Sequence, residues 1–164
     1  MPLSLLAART FASKLTRNNA LAQAIASLAS GSGPTVPIIS SEQVLLSSIP
    51  PDLGDKNLLM TYPRICIYSS GIRNTQLEKF RAFSGEIGLT AEIWASADLA
   101  TNVDQWIHFY VEAVGTLAQK AVGDWGDGLF FAGVYDVQFH APKPGGLGFV
   151  ELAKLTLNLN VSRG

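Results

Sequence analysis

The run from Phe83 to Ala95 constrains this chain most. Phe83, Ile87, Leu89, Ala91, Ile93 and Ala95 point one way, and Ser84, Glu86, Gly88, Thr90 and Glu92 the other. A period of two over thirteen residues is a β-strand with one face buried and one wet or shared. A chain holding such a strand must build a sheet, and it must cover the apolar side of that sheet. Gly85 and Gly88 are the expected bulge or bend positions in the strand.

The cover is the next segment. From Asn102 to Val122 the apolar residues Val103, Trp106, Ile107, Tyr110, Val111, Val114, Leu117, Ala118 and Ala121 recur at helical spacing. Thr101 or Asn102 is the expected cap, Asp104 falls early in the helix, and Lys120 and Gly123 suit its end. Further short strands are expected at Arg64–Ser70, Leu129–Ala141 and Gly148–Val161, with a polar loop from Gly71 to Lys79. Lys143–Gly148 reads as a Gly/Pro hairpin turn between the last two strands. The expected fold is α+β: a mostly antiparallel four-stranded sheet packed against a long amphipathic helix, with an additional N-terminal helix. All 164 residues are read as one domain: 1–33 helical, 34–63 a Pro-rich connection, and 64–162 the sheet-and-helix core.

No Gly or Pro interrupts Leu3 to Ser30, where Ala and Leu dominate. Leu5, Ala8, Ala12 and Leu15 form one stripe, and Leu21, Ile25 and Leu28 a second, with Asn18 and Asn19 as the break. Gly31, Gly33 and Pro34 end the segment. The first 41 residues carry Arg9, Lys14 and Arg17 and no acid, whereas the remainder holds nine bases and thirteen acids. An acid-free amphipathic start also fits a targeting peptide, the alternative to a docked helix. Pro34, Pro37, Pro50, Pro51 and Pro63 punctuate the connection, within which Ser41–Ser47 suits a short helix or strand. A connection this long is expected to touch a neighbour.

Composition limits function. Charged residues make up 15% of the chain and hydrophobic ones 48%, and the net charge is -1. Nothing here drives general binding to nucleic acid or an anionic membrane. No apolar run reaches the ~18 residues of a membrane span. With so much apolar surface, subunit interfaces are expected to bury what the core does not. Cys66 is the sole cysteine, and His108 and His140 the only histidines. A disulfide framework and a Cys- or His-rich metal site are therefore not expected.

Catalytic motifs are missing too. Lys143–Gly148 lacks the order of a phosphate loop. Asp124–Gly128 holds too few oxygen ligands for calcium and reads as a solvated helix-to-strand loop. Cys66 reads as a small core hydrophobe rather than a reactive thiol. No nucleophile elbow or zinc-protease helix is present. Neither a catalytic, nor a cofactor-binding, nor a metal residue is assigned. Tyr62, Trp94, Trp125, Phe130 and Phe149 are aromatics that the inward stripes leave unclaimed or that sit at strand ends. They are the candidate interface residues, at least two of which are expected to touch another subunit.

The order of elements resembles the tail terminator, or tail-completion, proteins of long-tailed bacteriophages. The resemblance rests on the N-terminal helix and the Pro-rich approach to a short strand, Tyr62-Pro63-Arg64-Ile65-Cys66-Ile67-Tyr68. The alternating strand Gly85-Glu86-Ile87-Gly88-Leu89-Thr90-Ala91-Glu92-Ile93-Trp94, the amphipathic helix and a closing hairpin complete it. It spans about residues 3–162. It implies a homo-oligomeric ring, typically a hexamer, that caps the tail tube, stops its polymerisation and joins the tail to the head-side connector. The implied partners are further copies of the chain, the tail tube protein and the connector or stopper protein. No cofactor, membrane or sequence-specific nucleic acid is implied, although the ring lumen leaves the genome a passage. The implied location is the virion neck, after assembly in the host cytoplasm. Two other readings stand beside it. One is another neck component, such as a head-closure protein. The other is a small ligand-binding domain or enzyme, with Glu86, Glu92, Asp136 and His140 converging from neighbouring strands.

Overall fold

The chain is described by a computed structural model covering residues 1–31, 35–47, 61–76 and 78–164. Helix α1 runs Leu3–Thr16 and α2 runs Ala20–Ala29. Asn18 and Asn19 separate them, both with φ near +55°. Asparagine enters the left-handed region more readily than other side chains, so the pair turns the chain where helix would otherwise continue. Ala7, Ala8, Phe11 and Leu15 of α1 and Leu21 and Ile25 of α2 are buried. Leu5, expected on the first stripe, is exposed. Gly33, Pro34, Pro50 and Pro51 lie outside the described residues.

Seven strands follow in one sheet: β1 (Val44–Leu45), β2 (Arg64–Asn74), β3 (Phe83–Ala97), β4 (Gly123–Gly126), β5 (Leu129–Phe139), β6 (Lys143–Gly145) and β7 (Gly148–Arg163). Helix α3 (Ala100–Lys120) joins β3 to β4. The spatial order is β1-β2-β3-β7-β5-β4, with β6 paired to β7. β1 pairs parallel with β2, and every other pair is antiparallel. The sheet is therefore mixed and curled, like half a barrel, rather than a four-stranded antiparallel layer. The expected fold class is corrected on this point. Three strands were hidden because two to four residues carry no readable period, and because β4 and β6 lie in segments whose glycines and prolines signal turns. The curl follows from the twist of strands as long as β3 and β7, which pair along their whole length.

Boundaries shift as well. β2 continues to Asn74, through part of the expected polar loop. The bulge lies in β2, between Ser69 and Gly71, and not in β3. A glycine is still required at position 85, where a Cβ would fall 1.9 Å from the Arg73 carbonyl oxygen. The Asp124–Gly128 loop is largely β4 and its hairpin with β5. α3 begins earlier than expected, with Leu99 at its cap position and no side-chain cap.

The concave side of the sheet and the three helices share one core. Ile87, Leu89, Ala91 and Ile93 of β3 meet Leu155, Leu157 and Leu159 of β7 beneath Val103, Ile107, Tyr110 and Val114 of α3. The long connection contributes to the same core. Val36 and Ile39 are buried, and the Tyr110 hydroxyl donates to the Pro37 carbonyl at 2.6 Å. Burial raises the Tyr110 pKa, so this hydroxyl remains a donor. Tyr110→Phe is expected to cost about 1 kcal/mol in urea unfolding, because the Pro37 oxygen loses its donor in a dry site. Among the described residues, no helix is long and apolar enough to cross a membrane.

Candidate functional site

The convex face of the sheet is where the sequence and the solvent disagree. Alternation assigns Arg64, Cys66 and Tyr68 of β2, Thr90, Glu92, Trp94 and Ser96 of β3, and Val150, Leu152 and Lys154 of β7 to this side. Arg64 stands opposite Trp94, Cys66 opposite Glu92, and Tyr68 opposite Thr90. One end of the face is nevertheless dry: Arg64, Cys66, Glu92, Trp94 and Val150 are all buried. Cys66, Trp94 and Val150 form a second apolar cluster, joined by Leu45, Tyr62 and Leu152.

Arg64 lies at the centre of this end, 1% exposed. Its guanidinium carbon sits 4.5 Å from the Tyr62 ring centroid and 5.3 Å from that of Trp94. Both are cation–π distances, and such contacts strengthen once the ion is desolvated. None of the three guanidinium nitrogens meets an acceptor among the described residues. The nearby carboxylate of Glu92 is engaged elsewhere. It accepts from the Tyr68 hydroxyl at 2.6 Å and from the Trp94 indole N–H at 3.2 Å. Burial, reinforced by Glu92, pushes the Tyr68 pKa up to about 12, so its phenol stays protonated across the ordinary pH range.

The β6–β7 hairpin closes over this corner. The Ser96 hydroxyl donates to the Phe149 carbonyl and accepts from the Leu147 amide, both at 2.8 Å. A Cβ on Gly146 would fall 3.2 Å from the Tyr62 ring, so the turn rests on the aromatic that covers Arg64. The tip itself faces solvent, with Leu147 68% exposed.

Two candidate interface aromatics, Tyr62 and Trp94, therefore come together around Arg64. The others lie apart. Trp125 is buried against Phe11 and Phe131, at 5.9 and 5.7 Å between ring centroids. Its indole N–H donates to the Ala121 carbonyl at 2.6 Å, which satisfies an acceptor at the C-terminal end of α3. Phe149 packs half-buried against the main core. Phe130 is exposed on β5. Glu86, Glu92, Asp136 and His140 do not converge. Glu92 is held by Tyr68 and Trp94, and the other three spread over β3, β5 and the residue after β5. His108 lies exposed on α3 with its ring 4.9 Å from that of Phe139. Among the described residues, no three His, Cys, Asp or Glu side chains gather as a metal site.

The sheet edges are the second feature. β1 covers β2 only at Ile65 and Cys66, so β2 from Ile67 to Asn74 has no partner on that side among the described residues. β4 covers β5 only as far as Phe131, which leaves the stretch from Ala132 to Phe139 open likewise. Apolar side chains mark both edges: Ile72 on β2, and Val134 and Phe139 on β5, are exposed. From the sequence, Glu92 is expected on the outward face of its strand and Tyr68 beside Cys66, neither with the partner it has here, and Arg64 carries no role. An arginine alternating with Cys66 and Tyr68 opposite Ile65 and Ile67 was the available signal.

No protein-family model matches the chain, and no curated protein matches its sequence.

Proposed function

We propose that the chain is a structural component of a phage tail, a terminator whose copies close into a ring on the end of the tail tube and meet the head-side connector. The observation that carries this reading is the pair of open edges at opposite sides of one sheet. Unpaired strand edges on a free monomer are an aggregation hazard, and short edge strands, charges or bulges usually guard them. Here each edge is guarded only in part and carries exposed apolar residues. Two different surfaces at opposite sides support head-to-tail association, which closes into a ring when the rotation per subunit is right. The low charge content fits subunits with much of their surface against neighbours. Phe130, exposed on the face of β5, is the candidate aromatic that remains for such neighbours to cover.

The mass of the purified protein, measured by light scattering over a concentration series, tests the reading. The expected result is a species of six times the 17.5 kDa chain mass, alone or on adding assembled tail tube. Val134 is 74% exposed, so Val134→Lys is expected to leave chain stability within about 0.5 kcal/mol while abolishing the large species. A monomer that binds neither itself nor tube ends would overturn the proposal. Binding to the connector alone would favour the head-closure alternative.

A further inference from the structure

We infer that Arg64 is the receptor for a carboxylate presented by a second copy of this chain. The inference rests on the self-assembly named in the proposal above, and it adds the chemistry of one contact.

An arginine is always charged, and its guanidinium carries five N–H donors. Burying such an ion without an anion or acceptor is among the costliest arrangements a fold can hold. The Tyr62 and Trp94 rings, both at cation–π distance, recover part of that cost. The donors lie along its edge, and none of its three nitrogens meets an acceptor among the described residues. The edge is the side that binds a carboxylate in the two-pronged geometry of arginine–carboxylate pairs. Glu92 does not fill this role, because the Tyr68 phenol and the Trp94 indole hold its two oxygens. A planar anion accepting from those donors would complete the site beside the two aromatic rings.

The chain itself argues for the source. It has thirteen acidic residues, yet Arg81–Glu78 is the one ion pair between described residues. Asp98, Glu112, Asp127 and Asp136 all lie exposed. A second copy thus offers solvent-facing carboxylates, and a ring supplies one copy beside every Arg64. Arg64 opens β2, the strand whose edge is bare beyond Cys66, so a neighbour added there reaches the same corner. The guanidinium nitrogens are closed to solvent, so the side chains around them must shift to admit the carboxylate.

The test compares wild type with Arg64→Met and Arg64→Lys. In dilute, unassembled protein, Arg64→Met removes a buried ion whose donors are unfilled, and the thermal midpoint is expected to rise by a few degrees. In the concentration series, self-association is expected to weaken by roughly tenfold or more, because the neighbour's carboxylate loses its partner. Arg64→Lys keeps the charge without the fork and should fall between. Nitrogen-15 spectra of the arginine side chains give a readout without substitution: the Arg64 Nε–H signal should move and exchange more slowly on assembly. A lower midpoint for dilute Arg64→Met would place the anion within the chain itself and overturn the inference. Unchanged self-association in both variants, or an Arg64 signal identical in dilute and assembled protein, would overturn it while leaving the ring intact. A wild type that never self-associates would overturn the ring and this carboxylate source together.

Discussion

Phe11→Ala is expected to lower the stability of the chain by about 3–5 kcal/mol, the range for deleting a fully buried phenylalanine. The Phe11 side chain is 0% exposed and lies nearly parallel to the Trp125 indole. Its loss removes the apolar transfer energy of the ring. It also leaves a void bounded by Trp125, whose N–H is tied to the end of α3 and cannot follow the collapse. For a chain of this length the midpoint of thermal unfolding should drop by about 10 °C. The measurement also decides between the two readings of the acid-free N-terminal segment. A docked helix gives the full loss, and Leu15→Ala, equally buried, should behave alike at about 2–5 kcal/mol. A detachable targeting peptide would let Phe11→Ala pass within about 0.5 kcal/mol.

Much of the concave side was legible because each of its elements has a period. The alternation of β3, the stripe of α3 and the Asn18–Asn19 break each state which side faces the core, and Ile87, Ile107 and Leu21 are buried as their phase requires. Strand pairing was less legible. A two-residue strand such as β1 has no period, and its parallel partner β2 lies beyond the end of the connection that follows it. Glycine misled in both directions. Gly126 and Gly128 signal a turn, yet the hairpin they serve adds an edge strand to the sheet. Gly85 suggests a bulge, yet β3 is regular there, and the absent Cβ makes room for the Arg73 backbone.

The convex side was the harder problem, for a physical reason. Alternation says which residues leave the concave core, but not what meets them outside. Arg64, Glu92 and Trp94 leave the core together by that alternation, as do Asn158 and Asn160 at the other end of the sheet, where the row is exposed. At the Arg64 end the row is buried, because Tyr62 and the β6–β7 hairpin fold onto it. Those contacts join residues more than eighty positions apart, as between Tyr62 and Gly146. No local pattern encodes them.

Glu151→Gln is expected to remove most of a pH dependence that the wild type shows between pH 4.5 and 7. The Glu151 residue is 3% exposed on β7, and one of its carboxylate oxygens has no partner among the described residues. Burial first, then the charge and hydrogen bond of Asp104 on α3, push its pKa up to about 7. Protonated, the pair shares a proton across the α3–β7 contact. Ionised, it sets two like charges side by side with one of them out of water. In the unfolded chain the same carboxyl titrates near its ordinary value of 4.5. The folded state thus holds a proton that the unfolded state releases, and stability falls as pH rises. The contribution is complete below pH 4.5 and is lost by the time pH passes 7. A shift of this size corresponds to about 1–3 kcal/mol, with solvent screening the exposed Asp104 charge. Glutamine keeps the shape and the donor and cannot ionise. Urea unfolding at pH 8 should therefore find Glu151→Gln more stable than wild type by that amount, while at pH 4 the two should coincide. An Asp104→Asn variant should recover a smaller part, since it removes the repulsion and leaves the burial. Equal stability of Glu151→Gln and wild type at both pH values would mean that Glu151 ionises as freely in the folded chain as in the unfolded one.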